Sequence, residues 1–255
     1  MSKNKIQRIK ELGFSFVYNM YLQSIVRKIF RKYVNPSLEA FSSFTLESDP
    51  NKILLKLLGK YVTLNIENEF KSLNDIILER YKKVDLTYPS NMKIEYNTSF
   101  LIYSLVRLLK PAKVVETGVA NGHSTFFILN ALMKNQNGRL YSIDVSNDVG
   151  SLISEDLKPY WNLYVLPKKN KKTLNQYLNK IKPIDIFIHD SNHMYYWQMI
   201  EYESFLKNIS SNGFILSDDV DSSYAFIDFC NKNKLEAVFL NDNRKVFGAT
   251  KIQIK

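Results

Sequence analysis

The stretch Val114-Val115-Glu116-Thr117-Gly118-Val119-Ala120-Asn121-Gly122-His123-Ser124-Thr125 decides the fold. A short apolar run predicts a strand. It enters a turn with two glycines, and a helical pattern follows. Glycine lets the backbone turn sharply and lets a ligand approach it closely. A doubly wound α/β sheet binds nucleotide-like ligands at such a turn. A plain strand-to-helix turn would look the same in isolation.

On either side of this turn the chain alternates between short apolar runs and helical patterns. The predicted strands are Lys113–Glu116, Leu140–Asp144, Leu163–Leu166, Ile184–His189 and Phe214–Ser217. Helical patterns lie near Ser124–Met133, Lys172–Ile181 and Tyr195–Ile209. This alternation implies a mostly parallel sheet covered on both faces. Ala237–Leu240 and Lys245–Ile254, joined by the polar loop Asn241–Asn243, predict a hairpin. The sheet is therefore expected to end in an antiparallel pair.

The order Gly118, Ala120, Gly122 lacks the third glycine of the dinucleotide fingerprint, and no P-loop ending follows. Glu116 would repel a phosphate. It could bind a cationic amino-acid or sulfonium ligand, directly or through water. Asp144 closes the second strand, where a carboxylate can accept both hydroxyls of a ribose. Capping of a turn is the alternative role for it.

Two further strands end in carboxylates, at Asp190 and at Asp218-Asp219. In a parallel sheet these ends share one edge with the glycine turn. Crowded carboxylates repel one another unless a cation or shared protons compensate, and hard oxygen ligands suit Mg²⁺ or a similar divalent ion. For Asp218-Asp219, turn formation is the alternative.

The glycine segment resembles the first motif of class I S-adenosylmethionine-dependent methyltransferases, E/D-x-G-x-G-x-G, with Ala120 in place of the middle glycine. The run Asp190-Ser191-Asn192-His193-Met194-Tyr195, with Glu201 beyond it, resembles the D-G-x-H-x-Y…D stretch of a bacterial methyltransferase family. That family is related to catechol O-methyltransferase and to macrolide and aminocoumarin sugar O-methyltransferases. The resemblance covers about Phe100 to Val220. It implies a Rossmann-like fold and an S-adenosylmethionine site drawn from Glu116, Thr117, Gly118, Val119, Gly122, Ser124, Thr125, Asp144 and Asp190. It also implies Mg²⁺ or another divalent cation on Asp190, Asp218 and Asp219, and a hydroxyl acceptor on a glycan or small molecule.

The chain departs from that pattern in two places. Ser191 replaces a glycine, and Asn192 stands where some sugar enzymes use an aspartate base. His193, aligned with the lysine base of catechol O-methyltransferase, becomes the candidate base, since imidazole titrates near neutrality. Capping or packing of the next helix is its other reading. His123 and His189 read as structural. Tyr195, Tyr196 and Trp197 read as core or as a substrate wall.

Upstream, Asp49-Pro50 is a helix start, and helical patterns continue through Tyr81 and over Thr98–Leu109. Residues 1–90 are expected to form a helical extension, and 91–255 the cofactor-binding domain.

The net charge is +10, and residues 1–32 account for +7 of it: eight Lys and Arg against Glu11. The basicity thus belongs to an appendage, which weighs against nucleic acid as a partner. Lys168, Lys169, Lys171 and Lys172 lack the interleaved aromatics that an RNA methyltransferase would need. A non-catalytic nucleoside-binding protein is the other rival. Ile25, Val26, Ile29, Phe30 and Tyr33 form one face of a helix, and Arg27, Lys28, Arg31 and Lys32 the opposite one. Such a helix either packs its apolar stripe on the domain or touches an anionic membrane surface.

Cys230 is the only cysteine, so no intrachain disulfide can form, in keeping with a reducing compartment. No run reaches the roughly 18 apolar residues of a membrane span. Leu12–Val26 is uncharged but carries polar residues and no small-residue cleavage site, against a signal peptide. The expected location is cytoplasmic, with peripheral contact to the inner face of the membrane as an option. A homo-oligomer is compatible with this sequence.

Overall fold

A computed structural model describes residues 29–41, 43–166 and 170–253. The amphipathic pattern at 25–28, Lys168, Lys169 and the end of the last predicted strand lie outside those residues.

Among the described residues eight strands form one sheet: β1 (Thr45–Glu47), β2 (Lys113–Thr117), β3 (Arg139–Asp144), β4 (Trp161–Val165), β5 (Ile184–His189), β6 (Ile209–Ser217), β7 (Ala237–Asp242) and β8 (Lys245–Lys251). Their spatial order is β1-β7-β8-β6-β5-β2-β3-β4. Only β8 runs against its neighbours, pairing antiparallel with both β6 and β7. The fold is the expected doubly wound, mostly parallel sheet with an antiparallel hairpin.

Among the described residues, a four-residue helix, Leu38–Phe41, precedes β1, and seven longer helices flank the sheet: α1 (Pro50–Leu58), α2 (Leu64–Lys83), α3 (Tyr96–Leu109), α4 (His123–Asn135), α5 (Lys171–Ile181), α6 (Tyr195–Leu206) and α7 (Ala225–Asn233). Side chains alternate across each strand, so one strand feeds two cores. Val114 is buried in a layer with α1, α2, α3 and α4. Its neighbour Val115 is buried in the opposite layer with α5, α6 and α7. Ile186 and Phe187 of β5 divide in the same way. This two-sided burial explains why these strands read as unbroken apolar runs.

The sheet differs from the sequence reading at its edge. The hairpin is not the last pair, because β1 adds a parallel strand outside β7, with Leu46 beside Phe239. Ile209 starts β6 rather than ending α6. The hairpin turn is Asn243-Arg244, with Asn243 in the left-handed region at φ 59°.

Residues 45–83 fall on the extension side of the boundary expected at 90, yet they share the domain's core. Ile53, Leu54, Phe70 and Ile77 are buried together with Leu101, Phe127 and Leu240. As the sequence implied, Asp49 caps α1, accepting from the Asn51 N–H at 2.9 Å. Glu69 of α2 accepts from Tyr103 Oη at 2.7 Å and from Arg107 Nε at 2.8 Å. The guanidinium bond holds its carboxyl below the ordinary range.

Before α1, the short described piece of the basic segment is turned the opposite way from the packing reading. Arg31 pairs with Asp228 at 2.9 Å and lies over the Tyr224 ring, and Lys32 lies over Tyr196. Ile29, Phe30 and Tyr33 are exposed. Aromatic faces and a carboxylate on the domain favour the cations over the apolar stripe.

If α2 belongs to the core, Phe70→Ala will destabilise the whole domain by about 3–5 kcal/mol, in one cooperative transition. Chemical unfolding followed by circular dichroism checks this. A change below about 1 kcal/mol, or a separate early transition, would make α2 an appendage.

Candidate active site

The carboxyl ends of four adjacent parallel strands are linked end to end by backbone hydrogen bonds. Gly118 N–H donates to Ile143 O at 2.9 Å, and Asp190 N–H to Thr117 O at 2.9 Å. Asp218 N–H donates to His189 O at 2.9 Å. The residues that follow β2, β3, β5 and β6 therefore form one rim. A cleft of about 570 Å³ runs along it, within the usual size of a small-ligand site.

Gly118 sits where two chain segments nearly touch. Its φ is 84°, and a Cβ there would lie 1.9 Å from the Asp190 carbonyl oxygen. Only glycine satisfies both demands. Ala120, which stands at the motif's glycine position, keeps the left-handed backbone at φ 47°. The turn thus takes a left-handed step at Ala120 without a glycine there. Asn121, also in the turn, is buried and pins the loop that precedes α3. It accepts from Tyr88 N–H at 2.9 Å and donates to Tyr88 O at 2.8 Å. Tyr88, Asn91, Met92, Lys93 and Ile94 of that loop line the cleft.

Of the nine residues expected around the cofactor, Thr117, Gly118, Val119, Ser124, Asp144 and Asp190 line the cleft. Glu116, Gly122 and Thr125 do not; all three are buried. Glu116 is fully buried and accepts from Ser142 Oγ at 2.6 Å, Thr125 Oγ1 at 2.7 Å and Ser124 Oγ at 3.3 Å. Those hydroxyls come from β3 and from the start of α4. Glu116 therefore clamps the turn from below and does not face a ligand directly. Burial pushes its carboxyl up to about 7.

Asp144 caps the turn, the alternative role read from the sequence, and it also lines the cleft. Its Oδ2 accepts from Val119 N–H at 2.9 Å and its Oδ1 from Ser146 N–H at 3.0 Å. Each oxygen has capacity for a further hydrogen bond. A carboxylate fixed in this way can receive a diol.

At the other end of the cleft, Glu201 gathers three elements. Its Oε2 binds His189 Nδ1 at 2.6 Å and Thr117 Oγ1 at 2.7 Å, and its Oε1 accepts from Ser191 Oγ at 3.0 Å. Ser191, the departure from the family's glycine, is thus used as a donor. His189 is fully buried, as expected of a structural residue. His123 is also buried, between Tyr81 Oη and Ser99 Oγ, and burial lowers it to about 3.

His193 lines the cleft. Its Nε2 lies 3.3 Å from Asp219 Oδ2 and 3.9 Å from Asp190 Oδ1. Burial, with His189 nearby, lowers it to about 4, so it is neutral near pH 7. Trp197 lines the cleft as well as the core. Tyr195 bonds Asp228 and Tyr196 is exposed, so neither forms a wall.

The acidic trio Asp190, Asp218 and Asp219 does meet at this end, but a fourth residue changes its character. The ammonium of Lys245 lies 3.0 Å from Asp218 Oδ2 and 3.1 Å from Asp219 Oδ2. These residues, as arranged, do not fit the divalent ion expected of them. The position between two carboxylates is taken by a side-chain cation, and among the described residues no cluster of His, Cys, Asp or Glu is placed to hold a metal. Nothing in the local sequence marked Lys245, because its partners lie on the far side of the antiparallel β8.

The buried Glu116 gives a pH signature. Its folded-state value is raised, so its protonated form stabilises the fold below about pH 4.5, and that contribution is lost as pH rises towards about 7. In Glu116→Gln the decline across this window will be shallower than in the natural protein. Unfolding free energies at pH 5, 6 and 7 measure it, and equal slopes for the two proteins would refute the assignment.

Comparison with known proteins agrees with this geometry. The family model described as a methyltransferase domain matches residues 115–220. No curated protein matches the chain. Among solved structures, the O-methyltransferase TomG of Streptomyces achromogenes, involved in tomaymycin synthesis and solved with S-adenosylmethionine, is 14% identical. The match has a TM-score of 0.56 and covers 80% of this chain and 96% of that one. An O-methyltransferase of Bacillus cereus in complex with S-adenosylhomocysteine is 15% identical, with a TM-score of 0.55 and coverage of 79% and 96%. The methyltransferase PaMTH1 of Podospora anserina, bound to S-adenosylhomocysteine, is 15% identical, with a TM-score of 0.54 and coverage of 71% and 88%. At such identities the likeness is one of fold. Residues 115–220, the part that resembles a methyltransferase domain, include the glycine turn and the carboxylates of the rim.

Proposed function

We propose that this enzyme is an O-methyltransferase that moves the methyl group of S-adenosylmethionine to a hydroxyl of a sugar or other small molecule. The observation that carries the proposal is the single cleft with a diol-receiving carboxylate, Asp144, at one end and the His193–Asp219 pair at the other. The ribose rests on Asp144. The amino-acid part lies over Gly118, near Thr117 and Ser124. The sulfonium methyl then points to the end of the cleft where Asp190 and His193 stand.

The transfer is a direct displacement. The acceptor oxygen attacks the methyl carbon, the carbon–sulfur bond breaks, and the electron pair returns to sulfur as S-adenosylhomocysteine forms. The protein's main contribution is to hold oxygen, carbon and sulfur in line. His193, neutral at rest, takes the hydroxyl proton at Nε2, and the Asp219 carboxylate 3.3 Å away holds the imidazolium that results. Asn91, Asn192 and Lys93 supply polar groups along the cleft, which suits a polyhydroxylated acceptor.

Calorimetric titration with S-adenosylhomocysteine tests the cofactor half. The natural protein will bind it, and Asp144→Ala will bind at least about tenfold more weakly, the loss expected for one ribose contact of charge-assisted strength. Absence of binding by the natural protein would end the proposal. Product release is then screened with sugar, aromatic and RNA acceptors. Against the acceptor that responds, His193→Ala will lower kcat by about 10²–10⁴ while leaving the affinity for S-adenosylhomocysteine intact. Full kcat in that variant would remove His193 as the base.

A further inference from the structure

Lys245 opens β8, and two backbone contacts fix it beside the loop that follows β6. Val220 N–H donates to Val246 O at 3.0 Å, and Val246 N–H to Asp221 Oδ1 at 3.2 Å. The lysine is therefore anchored by its own strand and is not a surface side chain that happens to reach inward. Its ammonium bridges Asp218 and Asp219 and lines the cleft. Asp218 is 1% exposed, and its Oδ1 has no partner. Asp219 holds a left-handed backbone at φ 48°, a conformation that turns its carboxylate to the same cation and to His193.

A divalent ion bound to these two oxygens would have to share their space with the ammonium. Like charges so close, partly shielded from water, oppose each other strongly. One of the two cations must leave, and the lysine is covalently held.

We propose that Lys245 occupies the place of a divalent ion, and that its ammonium is the cation that receives the acceptor's oxygen at a metal-free reaction centre. The first half stands on the geometry alone. The second rests on the methyl-transfer reading above.

The test is titration of the full chain with Mn²⁺, followed by electron paramagnetic resonance, beside calorimetric titration with S-adenosylhomocysteine. The natural protein is expected to show no saturable Mn²⁺ binding at millimolar concentrations. Lys245→Ala, which empties the position and leaves the carboxylates uncompensated, is expected to bind one Mn²⁺ at least about tenfold more tightly than the natural protein. Adding Asp218→Asn to that variant is expected to abolish the gain. Lys245→Gln, which removes the charge and keeps a hydrogen-bond donor, carries the same expectation if the alanine variant does not fold.

Saturable Mn²⁺ binding by the natural protein that Asp218→Asn removes would overturn the proposal. So would a folded Lys245 variant that binds S-adenosylhomocysteine normally and no Mn²⁺. Failure of S-adenosylhomocysteine to bind any of these proteins would instead sink the transferase reading, and the Mn²⁺ result would still decide who fills the position.

Discussion

At Gly118 the turn after β2 runs against the chain leaving β5, so close that no side chain fits between them. Much of the site's geometry follows from that contact. It sets Asp190 beside Thr117, and the hydrogen bond between their backbones extends the β2–β5 ladder past its last register pair. A bulkier turn would push β5 and its carboxylate away from the glycine loop and split the rim in two.

Glu116, Glu201 and Asp218 are buried under and around this cleft, and each has partners of a different kind. Glu116 is surrounded by hydroxyls of Ser124, Thr125 and Ser142. Glu201 is shared by an imidazole and two hydroxyls. Asp218 is paired with an ammonium. A buried carboxylate left unpaired would cost several kcal/mol, so these partners are as much a part of the architecture as the strands. The divisions also separate roles. Hydroxyl-bound carboxylates fix the shape of the turn, and the lysine-bound pair carries charge into the cleft. Mechanism and stability therefore draw on different members of what reads in the sequence as one acidic set.

The parallel strands were legible because burial on both faces leaves short, largely apolar runs, and a polar residue ends β2, β3, β5 and β6. Asp144, Asp190 and Asp218 could be placed on a common edge by that logic alone. The saturation of Glu116 could not be read, since one of its partners, Ser142, comes from another strand and carries no local signal. Lys245 was invisible for a similar reason. Its carboxylates stand 26 and 27 residues earlier, and only the antiparallel register of β8 brings them together. β1 has three residues, too few for a periodicity to show. Asn121 sat in plain view inside the glycine turn, but its grip on Tyr88 depends on a loop from 33 residues upstream.

That three-residue strand has an effect on how the molecule meets its neighbours. β7 carries the run Ala237-Val238-Phe239-Leu240, and left bare it would offer a flat apolar border to any extended chain. β1 occupies that border and is too short to pass the offer on. Lys52 pairs with Glu47 and Lys56 bonds Thr45, so charged side chains attend this edge strand. A segment with no part in the cleft thus covers three residues of an apolar edge that would otherwise be free to pair.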